Sequence, residues 1–130
     1  MTKNIWITGA SSGIGRAIAI KLSEEGCKIV LASRNTEKLK EIKQHLVSES
    51  MVIEMDVSQT ESVAKGFKKA VAKFKTIDIL VNSAGVMPLT YLKNRHLDEW
   101  LQTIEVNVKG TLRCIHGALP YMKKNEGGHI

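Results

Sequence analysis

Aromatic side chains are scarce in this 130-residue chain, which holds two tryptophans, two tyrosines and two phenylalanines. No arginine-rich arm accompanies them, so the stacking and basic interleaving of a nucleic-acid binder are missing. Cysteine is nearly absent. Cys27 and Cys114 stand far apart with no C-x-x-C pair, which argues for reduced, buried thiols against a disulfide or metal site. The four histidines, His45, His96, His116 and His129, share no ligand spacing, so no metal is expected. No apolar run is long enough to cross a bilayer, and the N-terminus runs into a strand-like segment within four residues. These absences predict a soluble cytoplasmic protein with no membrane or nucleic-acid partner.

The length predicts one domain over residues 1–130, large enough to bury about two thirds of its unfolded surface. Its net charge is +6. Much of the excess sits at Lys38, Lys40 and Lys43 and at Lys65, Lys68, Lys69, Lys73 and Lys75, interleaved with apolar positions at helical spacing. That pattern reads as solvated helix faces.

Strand and helix periods alternate along the chain. Residues 5–7, 29–32, 51–55 and 77–81 are short, mostly β-branched apolar runs, as expected of strands covered on both faces. Between them lie helical segments over 14–25, closed by Gly26, then 36–46 and 62–74. In the first, Ala17, Ile18 and Leu22, joined by Ile14, form a stripe that can lie on a sheet. Asn35 and Thr36, and then Ser58, Gln59 and Thr60, offer caps for the next two. A further helix is expected over 100–123. The βαβαβαβ order predicts an α/β fold: a doubly wound parallel sheet of Rossmann type with helices on both faces.

The richest local signal is Thr8-Gly9-Ala10-Ser11-Ser12-Gly13-Ile14-Gly15, between the first strand and the first helix. Glycine permits φ > 0 and close backbone approach, and the free N–H groups of a helix N-terminus favour an anion. Gly9, Ser11, Ser12, Gly13, Ile14 and Gly15 are therefore expected to hold a dinucleotide pyrophosphate. About 20 residues on, dinucleotide folds place an acidic residue that binds the adenosine ribose. This chain has Ser33 and Arg34 there. A hydroxyl removes the repulsion of a phosphate, and the guanidinium can pair with one on the 2′-hydroxyl. NADP(H) is the preferred cofactor and NAD(H) the alternative.

The G-x-x-x-G-x-G loop after a short strand resembles the cofactor loop of the short-chain dehydrogenase/reductase family. Three later motifs fit the same resemblance in order. Asp56 and Val57, ending the third strand, match the family position whose carboxylate accepts from the adenine amino group and whose next N–H approaches the ring. Asn82-Ser83-Ala84-Gly85 resembles the family's N-N-A-G, with serine in second place; Asn82, Ala84 and Gly85 are expected beside the cofactor ribose, with the Asn82 amide tying adjacent strand ends together. Val106-Asn107-Val108 matches the helix that carries the family's catalytic asparagine, here Asn107. The resemblance implies hydride transfer between NADP(H) and a small carbonyl or alcohol substrate, with the asparagine supporting a water-linked proton relay.

The family's proton donor is a tyrosine in a Y-x-x-x-K pair, and that pair is missing. Tyr91 is followed four places later by Arg95 and Tyr121 by Asn125. The expectation is thus the N-terminal, cofactor-binding portion of such an oxidoreductase, inactive by itself. Residues 127–130 read as the turn into a fifth strand. With the fourth strand left as an unpaired edge, self-association into a homo-oligomer or marginal stability is expected. Two other readings stay open: a non-catalytic dinucleotide-binding module or regulator on the same fold, and a sugar-nucleotide epimerase, which usually carries T-G-x-x-G-x-x-G and which the Gly9, Gly13, Gly15 spacing disfavours.

Overall fold

The computed structural model describes residues 2–130. Four parallel strands form one sheet: β1 (Asn4–Thr8), β2 (Lys28–Ser33), β3 (Ser50–Glu54) and β4 (Ile79–Asn82), in the order β3-β2-β1-β4. The helices are α1 (Gly13–Glu24), α2 (Thr36–Lys43), α3 (Thr60–Phe74), α4 (Leu97–Ile104) and α5 (Thr111–Lys124). The alternation of side chains along a strand puts Ile5 and Ile7 on one face and Trp6 on the other. With Ile29, Leu31, Leu39 and Ile42, the first face makes a core under α1 and α2. Trp6 faces Val30, Ile53, Phe67 and Cys114 on the opposite side, under α3 and α5. Its ring stacks on Phe67 with centroids 4.1 Å apart. Both faces of the sheet are covered, which explains why the strands read as near-continuous apolar runs. Both cysteines are free, and burial pushes the Cys114 thiol up to about 12.

Several local expectations need correction. The buried face of α1 is Gly15, Ala19 and Ser23, with Ile18 and Leu22 partly covered, whereas Ile14 is 74% exposed and Ala17 also faces out. Small residues win that face because α1 lies hard against the chain: a Cβ on Gly15 would collide with the Gly9 carbonyl. The end of α1 behaves as read, since Gly26 takes φ +81° and the Cys27 N–H closes on the Leu22 carbonyl at 3.1 Å. Asn35 caps α2 by accepting from the Lys38 N–H at 3.1 Å. The start of α3 has no such cap. Ser58 turns back to Asp56, and Thr60 accepts from Arg113.

The long final helix is also not uniform. Between α4 and α5 the backbone widens into a π segment, Glu105–Gly110. Such widenings concentrate at functional positions, and this one carries Asn107. Side chains serve its carbonyls: Arg113 donates to Glu105 at 3.3 Å and the Thr111 hydroxyl to Asn107 at 3.0 Å.

The outer edge of β4 is partly paired, contrary to the expectation of an open edge. His129 bridges to Ile79 in parallel, donating to the Asp78 carbonyl and accepting from the Leu80 N–H, each at 2.9 Å. This is an isolated bridge, at the place where the sequence reading put the turn into a fifth strand.

Thr8 makes the tie between strand ends that was expected of Asn82. Its buried hydroxyl accepts from the N–H groups of both Ser83 and Ala84 at 3.1 Å. Thr8→Val keeps the shape and strands these two donors. An unmet buried donor costs about 1–3 kcal/mol, so the variant should lose about 2 kcal/mol in urea unfolding, while Thr8→Ser should lose less than half as much.

Candidate functional site

The strand order reverses between β1 and β4, because β2 and β3 lie on one side of β1 and β4 on the other. Loops leaving the carboxyl ends of such strands part in opposite directions and open a crevice. A cleft of about 490 Å³ occupies this place. Gly9, Ser11, Ser12, Gly13 and Ile14 line it from the first loop, Ser33 and Arg34 from the end of β2, Asp56 and Val57 from the end of β3, and Ala84 and Gly85 from the end of β4. Ala32, Met55, Ser83, Val86 and Val106 complete the wall; Ser83 and Val106 belong to the motifs read above, and none of the five was expected to contact the cofactor. Three expected site residues stand behind it: Gly15, Asn82 and Asn107.

The first loop is built by backbone demands. Gly9 has φ +61°, and a Cβ there would come within 2.6 Å of the Ser83 carbonyl oxygen and 2.7 Å of the Ala84 nitrogen. Only glycine satisfies both the left-handed backbone and that approach. The chain then enters α1 with Ser12 extended at the N-cap and no side-chain hydrogen bond across the helix end. No acidic side chain stands in the first turn of α1. Among the described residues nothing meets the opening amides of α1, whose orphan N–H groups carry the positive end of the helix dipole. An anion fits there.

At the end of β2, the Ser33 hydroxyl accepts from the Asn35 N–H at 3.0 Å. Among the described residues Arg34 has no salt bridge, so its guanidinium is free for a ligand. At the end of β3, Asp56 is held in a tight turn: one carboxylate oxygen accepts from the Ser58 N–H at 2.9 Å and the Ser58 hydroxyl at 2.7 Å. The Asp56 N–H donates to the Ser62 hydroxyl at 2.9 Å. The second carboxylate oxygen has no partner among the described residues.

Asn107 grips the loop after β4 with both ends of its amide. Its Nδ2 donates to the Val86 carbonyl and its Oδ1 accepts from the Val86 N–H, each at 2.8 Å. Gly85 lies against it, since a Cβ there would approach Asn107 Oδ1 to 3.4 Å. Asn82 Oδ1 is buried without a donor, a state that usually means a water or ligand meets the atom. Neither Tyr91 nor Tyr121 lines the cleft. Outside the cleft wall, sequence reasoning also passed over Thr8, visible only as the first letter of the glycine run, and Arg113. This arginine of α5 donates to Val57, Thr60 and Glu105, and nothing in a helical K/R pattern distinguishes it. Arg113, with Lys109 adding to it, holds the Glu105 carboxyl below the usual carboxylate range.

Known proteins resemble this chain in sequence and fold. The family model described as "short chain dehydrogenase" matches residues 3–130. An uncharacterized oxidoreductase of Staphylococcus saprophyticus is 43% identical over 129 residues, which cover 98% of this chain and 52% of the relative. An uncharacterized oxidoreductase of Staphylococcus aureus is 45% identical over 125 residues, covering 95% of this chain and 54% of the relative. The chain thus spans about half the length of the curated relatives it matches. Among solved structures, the alcohol dehydrogenase of the archaeon Thermococcus sibiricus complexed with 5-hydroxy-NADP superposes with a TM-score of 0.90 at 33% identity, over 99% of this chain and 57% of that one. A 3-ketoacyl-ACP reductase from Sinorhizobium meliloti gives 0.90 at 32% identity, over 96% and 51%. With the glycine loop, the parallel sheet and the cleft at its reversal point already in place, the chain belongs to the short-chain dehydrogenase family.

Proposed function

We propose that this chain forms the NADP(H)-binding portion of an oxidoreductase acting on a small carbonyl or alcohol. The observation that carries the reading is the convergence on one cleft of four strand-end segments, with unmet amides, a free guanidinium and a free carboxylate oxygen spaced along it. The residues fit the cofactor. The amides of Ser12, Gly13 and Ile14 hold the pyrophosphate, Gly9 and Gly15 letting the loop and α1 seat close against the strand ends behind it, with Ser11 at the rim. Arg34, with Ser33 beside it in place of a carboxylate, holds a 2′-phosphate. Asp56 and the Val57 N–H face the adenine. Ala84 and Gly85 lie under the ribose, with Asn82 behind them at the end of β4. The bound nicotinamide supplies or takes a hydride. Asn107 fixes the Val86 backbone and thereby the floor of that end. The Thermococcus sibiricus enzyme, whose structure contains 5-hydroxy-NADP, supports the choice of cofactor.

A phenol with a pKa of about 10 needs a neighbouring ammonium to work as an acid or base near neutrality, and neither tyrosine lies in the cleft. The isolated chain therefore binds cofactor without turning over. It also self-associates. Leu97, Leu101, Ile104, Val108 and Leu112 repeat three or four residues apart along α4 and into α5, each at least about half exposed. A second copy, carrying the same stripe, can cover them.

Calorimetric titration should show NADPH binding more tightly than NADH. In Arg34→Met, NADPH affinity should fall about tenfold, toward that of NADH, since a charge-assisted pair is worth about 1.5–3 kcal/mol. Equal affinities in the wild type, or a preference for NADH, would remove Arg34 from this role. Sedimentation should give a dimer that Leu101→Lys with Leu112→Lys converts to monomer; a monomeric wild type would count against the interface.

A further inference from the structure

Arg113 lies outside the cleft, yet it touches the backs of two of its walls. From α5 the half-buried guanidinium reaches three separate segments. Nη1 donates to the Val57 carbonyl at 3.2 Å and to the Glu105 carbonyl at 3.3 Å, Nε donates to the Thr60 hydroxyl at 3.0 Å, and Nη2 pairs with the Glu105 carboxylate. Val57 belongs to the wall that ends β3, and Glu105 begins the π segment whose next residue, Val106, lines the facing side. The two walls are also in direct contact there. Gly110 abuts Val57 so closely that a Cβ would stand 2.7 Å from Val57 Cγ2.

The guanidinium is suited to this because its donors are fixed in one plane and cannot move independently. Whatever sets the Glu105 backbone also sets the Val57 carbonyl. On the far side, the Ser58 turn locks the carboxylate of Asp56. The two contacts together hold the short stretch at 56–58 from both sides.

We propose that Arg113 is a positioning residue for the adenine subsite: one guanidinium holds the Val57 backbone against the π segment, fixing the distance between the Asp56 side and the Val106 side of the cleft. This rests on the cofactor reading above, in which the adenine amino group meets Asp56. Arg113 touches no part of the ligand. Its effect is therefore on base discrimination and not on phosphate binding, which belongs to the opening of α1.

The test compares ADP with IDP, whose base lacks the amino group, and with inorganic pyrophosphate as a probe of the glycine loop alone. Wild-type chain should prefer ADP over IDP. Arg113→Met should weaken ADP about tenfold, the scale of one lost charge-assisted hydrogen bond, bring ADP and IDP together, and leave pyrophosphate within about twofold. Arg113→Lys, which keeps the charge but not the planar fork, should give the same loss of discrimination, and it carries the test where the methionine variant does not fold. Two outcomes overturn the inference: variants that keep the ADP preference, or variants that lose pyrophosphate in the same proportion, which would mean a loosened fold. A wild type that binds ADP no better than IDP would instead overturn the adenine reading itself, and this inference with it.

Discussion

The structure depends on how β1 meets β4 at their carboxyl ends. There the chain must leave the sheet, reverse its backbone hand at Gly9, and pass within van der Waals contact of Ser83 and Ala84 before starting α1. The Thr8 hydroxyl satisfies the two N–H groups that this departure exposes. Everything the cleft offers follows from that junction. The opening amides of α1 face outward because Gly9 has turned the chain, and α1 lies low on the sheet because Gly15 presents only hydrogen to the Gly9 carbonyl. A side chain at either glycine would lift the helix and close the space between the strands.

A second constraint acts from the opposite wall. The π segment gives up regular helical pairing, and its carbonyls are taken by Thr111 and Arg113. In exchange, Asn107 turns toward the loop after β4 and makes a two-point contact with Val86 that resembles one rung of a sheet. Helix, loop and strand end are thereby joined without any residue reaching into the cleft. Among the described residues, the α1 amides, the Arg34 guanidinium and one oxygen of Asp56 are left without protein partners there, and the proposed cofactor reading rests on them.

Most of the architecture was readable from the residues because covered parallel strands and amphipathic helices have distinct periods, and because the glycine spacing is tied to a definite backbone path. The misreadings have two causes: Asn82 and Thr60 answer to partners distant in sequence, while Ser58 and Ile14 answer to local geometry that residue type and spacing leave unfixed. Asn82 was expected to bridge strand ends, but Thr8, 74 residues earlier, already holds the N–H groups concerned. Ser58 and Thr60 looked like caps, and are instead engaged by Asp56 and Arg113. Ile14 fits the stripe of α1 by spacing alone, yet it opens onto the cleft, since the low seat of the helix requires Gly15, Ala19 and Ser23 beneath it. The π widening left no trace in composition, because it is set by Gly110 against Val57 and by donors from a turn further on.

The stacking of Trp6 on Phe67 has an optical consequence. The indole of Trp6 is fully shielded in the centre of the sheet, with its Nε1 unpartnered, whereas Trp100 is 41% exposed on α4. The two tryptophans therefore sit in opposite environments, one apolar and one wet. The short-wavelength emission reports the integrity of the interior, and the long-wavelength, quencher-sensitive emission reports what covers the outer helix, so a single spectrum separates melting from assembly.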